Sequence, residues 1–246
     1  MRDVESALWS EIPRPAGIAS GGARPKPRQG GAKGDNKTMI LNSSILPQKT
    51  ARMFDLLSHT EFIRNFYLSG GTGLALQLKH RESEDLDFFS RREFVPESIQ
   101  SQVVKLGKLA NVILDKGTLN CVLHGVKLQF LHYPYKLLEK PLTYHNLSIS
   151  SLLDIACTKL ITISSRGNKR DFIDLYFILE HYTLPQLFSA LKKKYVAVEY
   201  NELHILKSFV YFTDADKQPM PRMLISVQWK EVKRRTQQVV RESRIL

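Results

Sequence analysis

Asp85 and Asp87, with one residue between them, lie in the sequence SEDLDFF. Alternate residues of a β-strand share a face, so a strand here projects Ser83, Asp85 and Asp87 to one side. Leu86 and Phe88 then face the core. Neighbouring carboxylates repel each other, and a divalent cation removes that repulsion, as when Mg²⁺ binds carboxylates together with substrate phosphates. The pattern indicates either a divalent metal site at Asp85 and Asp87 or a solvated acidic strand face.

A diglycine, Gly70-Gly71, precedes these aspartates in the chain. Two glycines between a strand and a helix let the backbone turn sharply and come close to a ligand. The helix predicted over 72–81 directs its N-terminal amides at this turn, and such amides favour phosphate. Diglycine turns are also common without any function. The segment between Gly71 and Asp85 accommodates one helix and the start of a strand, which places the turn and the aspartates at the same edge of one sheet.

A single lysine, Lys159, interrupts an apolar helical face. The other members of that face are Leu152, Ile155, Ala156, Leu160 and Ile163. An unpaired buried ammonium is costly, so Lys159 must either extend to solvent or bind an anion such as a triphosphate. Further along, Asp171 and Asp174 open the next helix. Asp171 fits a helix cap, whereas Asp174 lies one turn further in and fits that role less well.

The order of the predicted elements indicates an α+β protein, with a small mixed sheet and helices followed by a mostly helical C-terminal part. We predict a core over 39–148 and a helical region over 149–246 that completes the site. Residues 1–38 are rich in glycine and proline, which indicates a disordered or non-native extension or, alternatively, a basic nucleic-acid tether. The predicted helices are 47–63, 72–81, 96–110, 150–165, 171–181, 185–194 and 199–212, with a basic helix or solvated basic face from 229. The predicted strands are 66–71, 83–90, 111–114, 119–123 and 126–132.

The formal net charge of +12 and the isoelectric point near 9.7 favour polyanionic partners, namely nucleoside triphosphates, RNA or DNA. The alternative is a basic surface without a specific partner. No apolar stretch reaches the length of a membrane span, and the first residues lack the layout of a secretory signal. Two cysteines and no CxxC pair suit a reducing compartment, and the histidines show no zinc-ligand spacing. We therefore expect a cytoplasmic protein without a structural metal or a membrane partner.

The diglycine, the helix and the Asp-x-Asp flanked by apolar residues together resemble the DNA polymerase β-like nucleotidyltransferase superfamily. The segments YLSGGTGLALQLKHRESEDLDFFS and CTKLITISSRGNKRDFIDLYFIL are similar to the AbiEii/AbiGii group, toxin-like nucleotidyltransferases of abortive-infection and toxin–antitoxin systems. This resemblance runs from about Pro47 to the C-terminal WKEVK segment. It implies a minimal nucleotidyltransferase fold, Mg²⁺ or Mn²⁺ as cofactor, and an NTP as substrate. It also implies an acceptor hydroxyl on RNA, such as tRNA, or on a protein, and a cognate antitoxin.

The resemblance also assigns roles to residues. Asp85 and Asp87 would hold the metal, and Lys159 and Asp174 would complete the catalytic set. The expected nucleotide-binding residues are Gly70, Gly71, Thr72, Arg81, Ser83 and Lys159, while Arg166, Arg170 and Asp171 match the surrounding pattern less diagnostically. Lys159 would neutralise the phosphates, and Asp174 would orient or deprotonate the acceptor.

One position departs from the superfamily pattern, which commonly adds a third carboxylate from a later strand. The corresponding strand, 126–130, carries Gln129 instead. Either Asp174 fills the third position or metal binding is weakened. A non-catalytic nucleotide- or RNA-binding partner in a toxin–antitoxin pair is therefore the alternative function. An antibiotic nucleotidyltransferase is less favoured, because no acidic pocket for a cationic drug is evident.

Overall fold

The computed structural model describes residues 43–196 and 198–243. The predicted extension over 1–38 lies outside these residues. The helices are α1 (Gln48–Ser58), α2 (Gly70–Leu78), α3 (Pro96–Val104), α4 (Leu152–Arg166), α5 (Lys169–Ile178), α6 (Leu184–Lys194), α7 (Glu202–Ser208), α8 (Thr213–Asp216) and α9 (Trp229–Glu242). The strands are β1 (Tyr67–Leu68), β2 (Leu86–Ser90), β3 (Leu109–Asp115), β4 (Thr118–Leu123), β5 (Val126–His132), β6 (Leu142–Tyr144) and β7 (Leu147–Ile149).

The strands form one seven-stranded sheet in the order β3-β4-β5-β2-β1-β7-β6. The pairs β2–β5 and β1–β7 are parallel, and the other neighbours are antiparallel. This mixed sheet, followed by helices α4 to α9, confirms the predicted α+β class. Among the described residues, no helix has the length and apolar character needed to cross a membrane.

Strand β2 directs its side chains alternately to the two faces of the sheet. Leu86 and Phe88 are fully buried in a core that also includes Phe54 of α1 and Val103 of α3. Phe89 faces the other way, into the core formed with the C-terminal helices. Asp87 shares the face of Phe89, because residues two apart on a strand lie on the same side. The predicted orientation of Leu86 and Phe88 is thus confirmed, and Asp87 faces the C-terminal helices.

Helix α4 packs on this second face, and its sequence defines both of its ends. The Ser151 hydroxyl accepts a hydrogen bond from the Asp154 amide, which is the usual N-terminal cap. The helix ends at Arg166 and is followed by the C-cap residue Gly167, whose φ of +54° is the left-handed conformation that glycine adopts at low cost. Helix α4 contacts α2, α5 and α6. These contacts bring the helical region against the end of the sheet at which β2 begins.

Several predicted boundaries were wrong, each for a local reason. The first helix ends at Ser58 rather than 63, because Ser58 and Thr60 hydrogen-bond to carbonyls of its last turn. The helix predicted over 96–110 ends at Val104, and Gly107 with φ of +152° leads into β3.

Further differences concern short elements. The helix predicted over 199–212 is shorter, because the Asn201 side chain accepts a hydrogen bond from the His204 amide and caps α7 (Glu202–Ser208) at its N-terminus. The hairpin β6–β7 was missed, since three-residue strands are too short to show alternation. Regular pairing in β2 begins at Leu86, so Ser83 and Asp85 lie in the segment before the strand.

Candidate active site

A cleft lies where the start of α2, the start of β2 and helix α4 meet. It brings together most of the predicted site residues, which are far apart in the sequence. The lining residues are Gly70, Gly71, Arg81, Ser83, Asp85, Asp87, Gln129, Ile155, Thr158, Lys159, Thr162, Arg166 and Arg170. Carboxylates and cations therefore line one shared space.

The two aspartates form the acidic side of the cleft, and each is about half-buried. The backbone that carries them is fixed to the diglycine turn. The Thr72 hydroxyl donates a short hydrogen bond to the Asp85 carbonyl, and the Ser69 amide donates one of 2.9 Å to the Asp87 carbonyl. Thr72 is fully buried and does not line the cleft, so it positions Asp85 rather than reaching a ligand.

The diglycine lies directly against the acidic residues. Gly70 has φ of +61°, and a Cβ atom there would overlap the Asp87 carboxylate. A Cβ atom on Gly71 would lie 2.9 Å from Arg81 Nη2 and 3.0 Å from Ser83 Oγ. The backbone thus approaches the cleft as closely as a residue without a side chain permits. The first amides of a helix lack intrahelical acceptors, so this turn directs N–H donors toward an anion.

The donor set at this edge suits a divalent cation. Asp85 and Asp87 provide carboxylate oxygens in one cleft, and hard oxygen donors are those that Mg²⁺ and Mn²⁺ prefer. The close packing of Gly70 on Asp87 limits where that carboxylate can move. The residues present therefore fit the metal that the sequence predicts.

The opposite wall of the cleft is cationic. Lys159 is only 5% exposed, and its Nζ lies 2.8 Å from Asp171 Oδ1 and 2.6 Å from Asp174 Oδ2. Of the two alternatives for this lysine, the structure thus excludes extension to solvent. An ammonium has three N–H donors, so one remains for a ligand in the cleft. Arg166 and Arg170 line the same wall, and Arg166 Nε lies 2.9 Å from Asp171 Oδ2.

Asp171 and Asp174 are fully buried and remain ionised. Burial raises the pKa of Asp171, but the charges of Lys159 and Arg166 outweigh burial and lower its pKa to about 2. Burial likewise opposes ionisation of Asp174, yet the charges of Arg81 and Lys159 hold its pKa well below the usual range. Asp171 therefore belongs to an ion-pair network. The N-cap residue of α5 is Asn168 and not Asp171.

Asp174 does not lie where the sequence-based role requires it. Its carboxylate accepts hydrogen bonds from Arg81 Nε at 2.7 Å, Arg81 Nη2 at 2.8 Å and His80 Nε2 at 2.7 Å, besides the Lys159 contact. It has no exposed surface and does not line the cleft. Both oxygens are occupied by cationic or polar donors, so the predicted role of orienting or deprotonating an acceptor does not fit. The geometry instead makes Asp174 the residue that holds Arg81 and Lys159 at the cleft wall.

The sequence analysis missed the remaining face of α4 that lines the cleft, namely Ile155, Thr158 and Thr162. Ile155 and Thr162 lie one helical turn from Lys159, so the three- and four-residue spacing around that lysine was the available signal for these two, whereas Thr158 is its neighbour in the sequence. The partnership of His80 and Arg81 with Asp174 had no such signal, because it joins residues more than 90 positions apart.

A second group of potential metal ligands lies outside the cleft. Asp55, His59 and His145 are exposed, and their ligand atoms lie within 4.8 Å of one another. Their separation in the sequence explains why no histidine spacing predicted the group. The Asp55 carboxylate also accepts a hydrogen bond of 3.2 Å from Tyr144.

The chain matches a known protein family and is similar in sequence to a curated protein. A family model described as nucleotidyl transferase AbiEii toxin, type IV toxin–antitoxin system, matches residues 52–124 and 125–242. An uncharacterized protein of Aquifex aeolicus (strain VF5) is 38% identical over 184 residues, which cover 72% of this chain and 87% of that protein.

Two solved structures are also similar. A candidate nucleotidyltransferase from Helicobacter pylori shares 16% identity with a TM-score of 0.50, over 79% of this chain and 93% of that one. The MenT4 nucleotidyltransferase toxin of Mycobacterium tuberculosis H37Rv shares 14% identity with a TM-score of 0.42, over 80% and 86% of the two chains. At 16% identity the Helicobacter likeness bears on the fold alone, and it agrees with the α+β architecture.

Proposed function

The chain belongs to the AbiEii family of nucleotidyltransferase toxins, and from that premise we propose that it transfers a nucleoside monophosphate from an NTP to an acceptor hydroxyl in the presence of Mg²⁺ or Mn²⁺. One observation carries the proposal. A pair of carboxylates, a diglycine turn and a buried lysine, from three separate parts of the sequence, line one cleft. This is the set of groups that a metal-bound triphosphate requires.

Each group has a distinct task in the proposed reaction. Asp85 and Asp87 hold the divalent ion, which when bound neutralises charge on the triphosphate. The turn at Gly70 and Gly71 presents backbone N–H donors to phosphate oxygens. Lys159 supplies a fixed positive charge, and because it is already held by two carboxylates it needs no reorganisation during the reaction.

The chemical step is a single displacement at the α-phosphorus. The acceptor oxygen forms a bond to that phosphorus, while the bond from phosphorus to the oxygen that bridges to the β-phosphate breaks. Pyrophosphate leaves with the bonding electron pair, and the hydroxyl proton passes to solvent water in the cleft. The protein contributes mainly by positioning the reactants and by stabilising charge.

The acceptor that the basic chain favours is RNA. A net charge of +12 attracts a polyanion, and Arg166 and Arg170 bring part of that charge to the cleft wall. A tRNA end is one such acceptor, and a protein hydroxyl is the other that the family suggests. The family description also supports a cognate antitoxin in a toxin–antitoxin pair.

Incubation of the protein with each α-³²P-labelled NTP, Mg²⁺ and total RNA tests the proposal. We expect label in RNA and stoichiometric pyrophosphate with at least one NTP, and loss of both by at least 10³-fold in Asp85→Asn and Asp87→Asn. Glu84→Gln, at the exposed acid immediately before Asp85, is the matched control and should retain activity.

Two other outcomes of the labelled-NTP experiment would identify a different acceptor or a different function. Label in protein instead of RNA would assign the acceptor to a protein side chain and leave the transferase intact. Metal-dependent NTP binding without pyrophosphate release under any condition would contradict transfer and favour the non-catalytic nucleotide-binding alternative.

A further inference from the structure

Gln129 is the neighbour of Asp87 across the parallel strand pair β2–β5. The two residues are register partners, and on its other side Gln129 is paired with Asn120 of β4. A row of three side chains, Asp87, Gln129 and Asn120, therefore crosses adjacent strands on one face of the sheet. Of the two amides, Gln129 lines the cleft and Asn120 does not.

The Gln129 side chain places in the site an amide donor that no described residue accepts. It is 4% exposed, and its Nε2 has no hydrogen-bond partner among the described residues. A buried donor left unsatisfied is destabilising, so native structures retain one mainly where a ligand or function accounts for it. The triphosphate oxygens proposed to occupy this cleft are strong acceptors that would satisfy the donor.

The charge of the cleft limits how many cations it can hold. Asp85 and Asp87 are the acidic residues that line it within the described part of the chain. Asp171 and Asp174 lie behind the wall and are already paired with Lys159 and with arginines. A second divalent ion, typically about 3.5–4 Å from the first, needs further carboxylate oxygens. An amide at position 129 supplies no negative charge, whichever way its oxygen and nitrogen are oriented.

We propose that the cleft binds a single divalent ion together with the nucleotide, and that Gln129 donates its amide N–H to a triphosphate oxygen. The proposal rests on the nucleotidyltransferase function above and specifies the substrate contacts of the same site. Gln129 is in this account a phosphate-contacting residue. It occupies the place beside Asp87 at which a carboxylate would instead bind a second ion.

Titration of Mn²⁺, followed by electron paramagnetic resonance, tests the number of ions directly. It is performed with each of the four α,β-methylene nucleoside triphosphates, which cannot release pyrophosphate. We expect one Mn²⁺ per protein–nucleotide complex in the wild type and two in Gln129→Glu, which adds a carboxylate of the same shape. Gln237→Glu adds the same charge on the exposed surface of α9 and should bind one.

Gln129→Met tests the amide donor separately. It removes the donor without adding charge, so we expect one Mn²⁺ and nucleotide binding about tenfold weaker, as for loss of one hydrogen bond to a charged group. Unchanged nucleotide affinity would overturn the donor role.

The possible failures are distinguishable. Two ions in the wild type would overturn the single-ion proposal while transfer activity persists. One ion in a correctly folded Gln129→Glu would overturn the assignment of position 129 as the place at which a carboxylate binds a second ion. A wild type that neither binds Mn²⁺ with nucleotide nor transfers label would instead refute the proposed function. If near-ultraviolet circular dichroism shows Gln129→Glu to be misfolded, the wild-type stoichiometry decides.

Discussion

The contact between Gly70 and Asp87 links a backbone conformation to the chemistry of the site. Gly70→Ala places a methyl group in the left-handed region, at about 1–2 kcal/mol, and forces the Asp87 carboxylate to move. A displacement of about 1 Å at a reacting group costs about 10²-fold in rate. We therefore expect a modest loss of stability and about 10²-fold slower nucleotidyl transfer, measured with the labelled NTP.

Gly125→Ala is the matched control for that substitution. Gly125 has φ of +78°, yet the nearest heavy atom to an added Cβ is Lys49 Nζ at 3.8 Å. The Gly125→Ala variant carries the same cost of a left-handed backbone as Gly70→Ala but has no steric overlap with a neighbouring side chain. It should therefore lose similar stability and keep its activity. Equal activity of the two variants would refute the role of the Gly70 contact.

The burial of Asp174 distinguishes a positioning residue from a proton acceptor. Asp174→Asn weakens the hold on Arg81 and Lys159, so we expect a higher KM for NTP and a lower kcat with no change in the shape of the pH–rate profile. Both constants are measured from pH 5 to pH 9. Loss of an ionisation from the profile in this variant would show that Asp174 accepts the proton, contrary to its geometry.

At the scale of elements, ion pairs join α2, α4 and α5. Arg81 follows α2, Lys159 lies on α4, and Asp171 and Asp174 lie on α5. These charges fix the relative positions of three elements that come from two halves of the sequence. The cleft depends on this link, because Arg81 and Lys159 form part of its wall.

This link makes stability depend on pH with a definite sign. The Asp171 pKa is about 2 in the folded chain and about 3.9 when unfolded, so its contribution is complete above pH 4 and is lost as pH falls toward 2. The contribution is on the order of 2 kcal/mol. Urea unfolding should therefore show a gap between wild type and Asp171→Asn that narrows below pH 4. Asp214→Asn, at an exposed acid on α8, is the control, and a pH-independent Asp171 gap would contradict the assignment.

Elements with strong local signals were predictable. The alternation around Leu86 and Phe88 and the apolar face of α4 follow from burial with a fixed period, which the sequence displays directly. The pairing of Arg81 and His80 with Asp174 was not predictable, because it results from tertiary packing over more than 90 residues. The full burial of Asp174 was not predictable for the same reason, since burial by neighbouring elements leaves no mark in the local pattern.

At the scale of the whole molecule, the sheet and the C-terminal helices form two walls of one cleft. The sheet contributes carboxylates and the helices contribute cations, so the metal-bound triphosphate that we propose would complement both. A net charge of +12 adds a longer-range attraction for polyanions, which falls with ionic strength. The location of charged side chains at the cleft, rather than the net charge of the chain, distinguishes the proposed transferase from a generally basic protein.

The location of the metal tests the central claim most directly. Anomalous diffraction at the manganese edge, from crystals grown with Mn²⁺ and an α,β-methylene nucleoside triphosphate, would locate the ion. The account predicts a peak within about 2.0–2.3 Å of oxygens from both Asp85 and Asp87, with the triphosphate against Gly70 and Gly71. A peak confined to Asp55, His59 and His145, with the cleft free of metal and nucleotide, would contradict it.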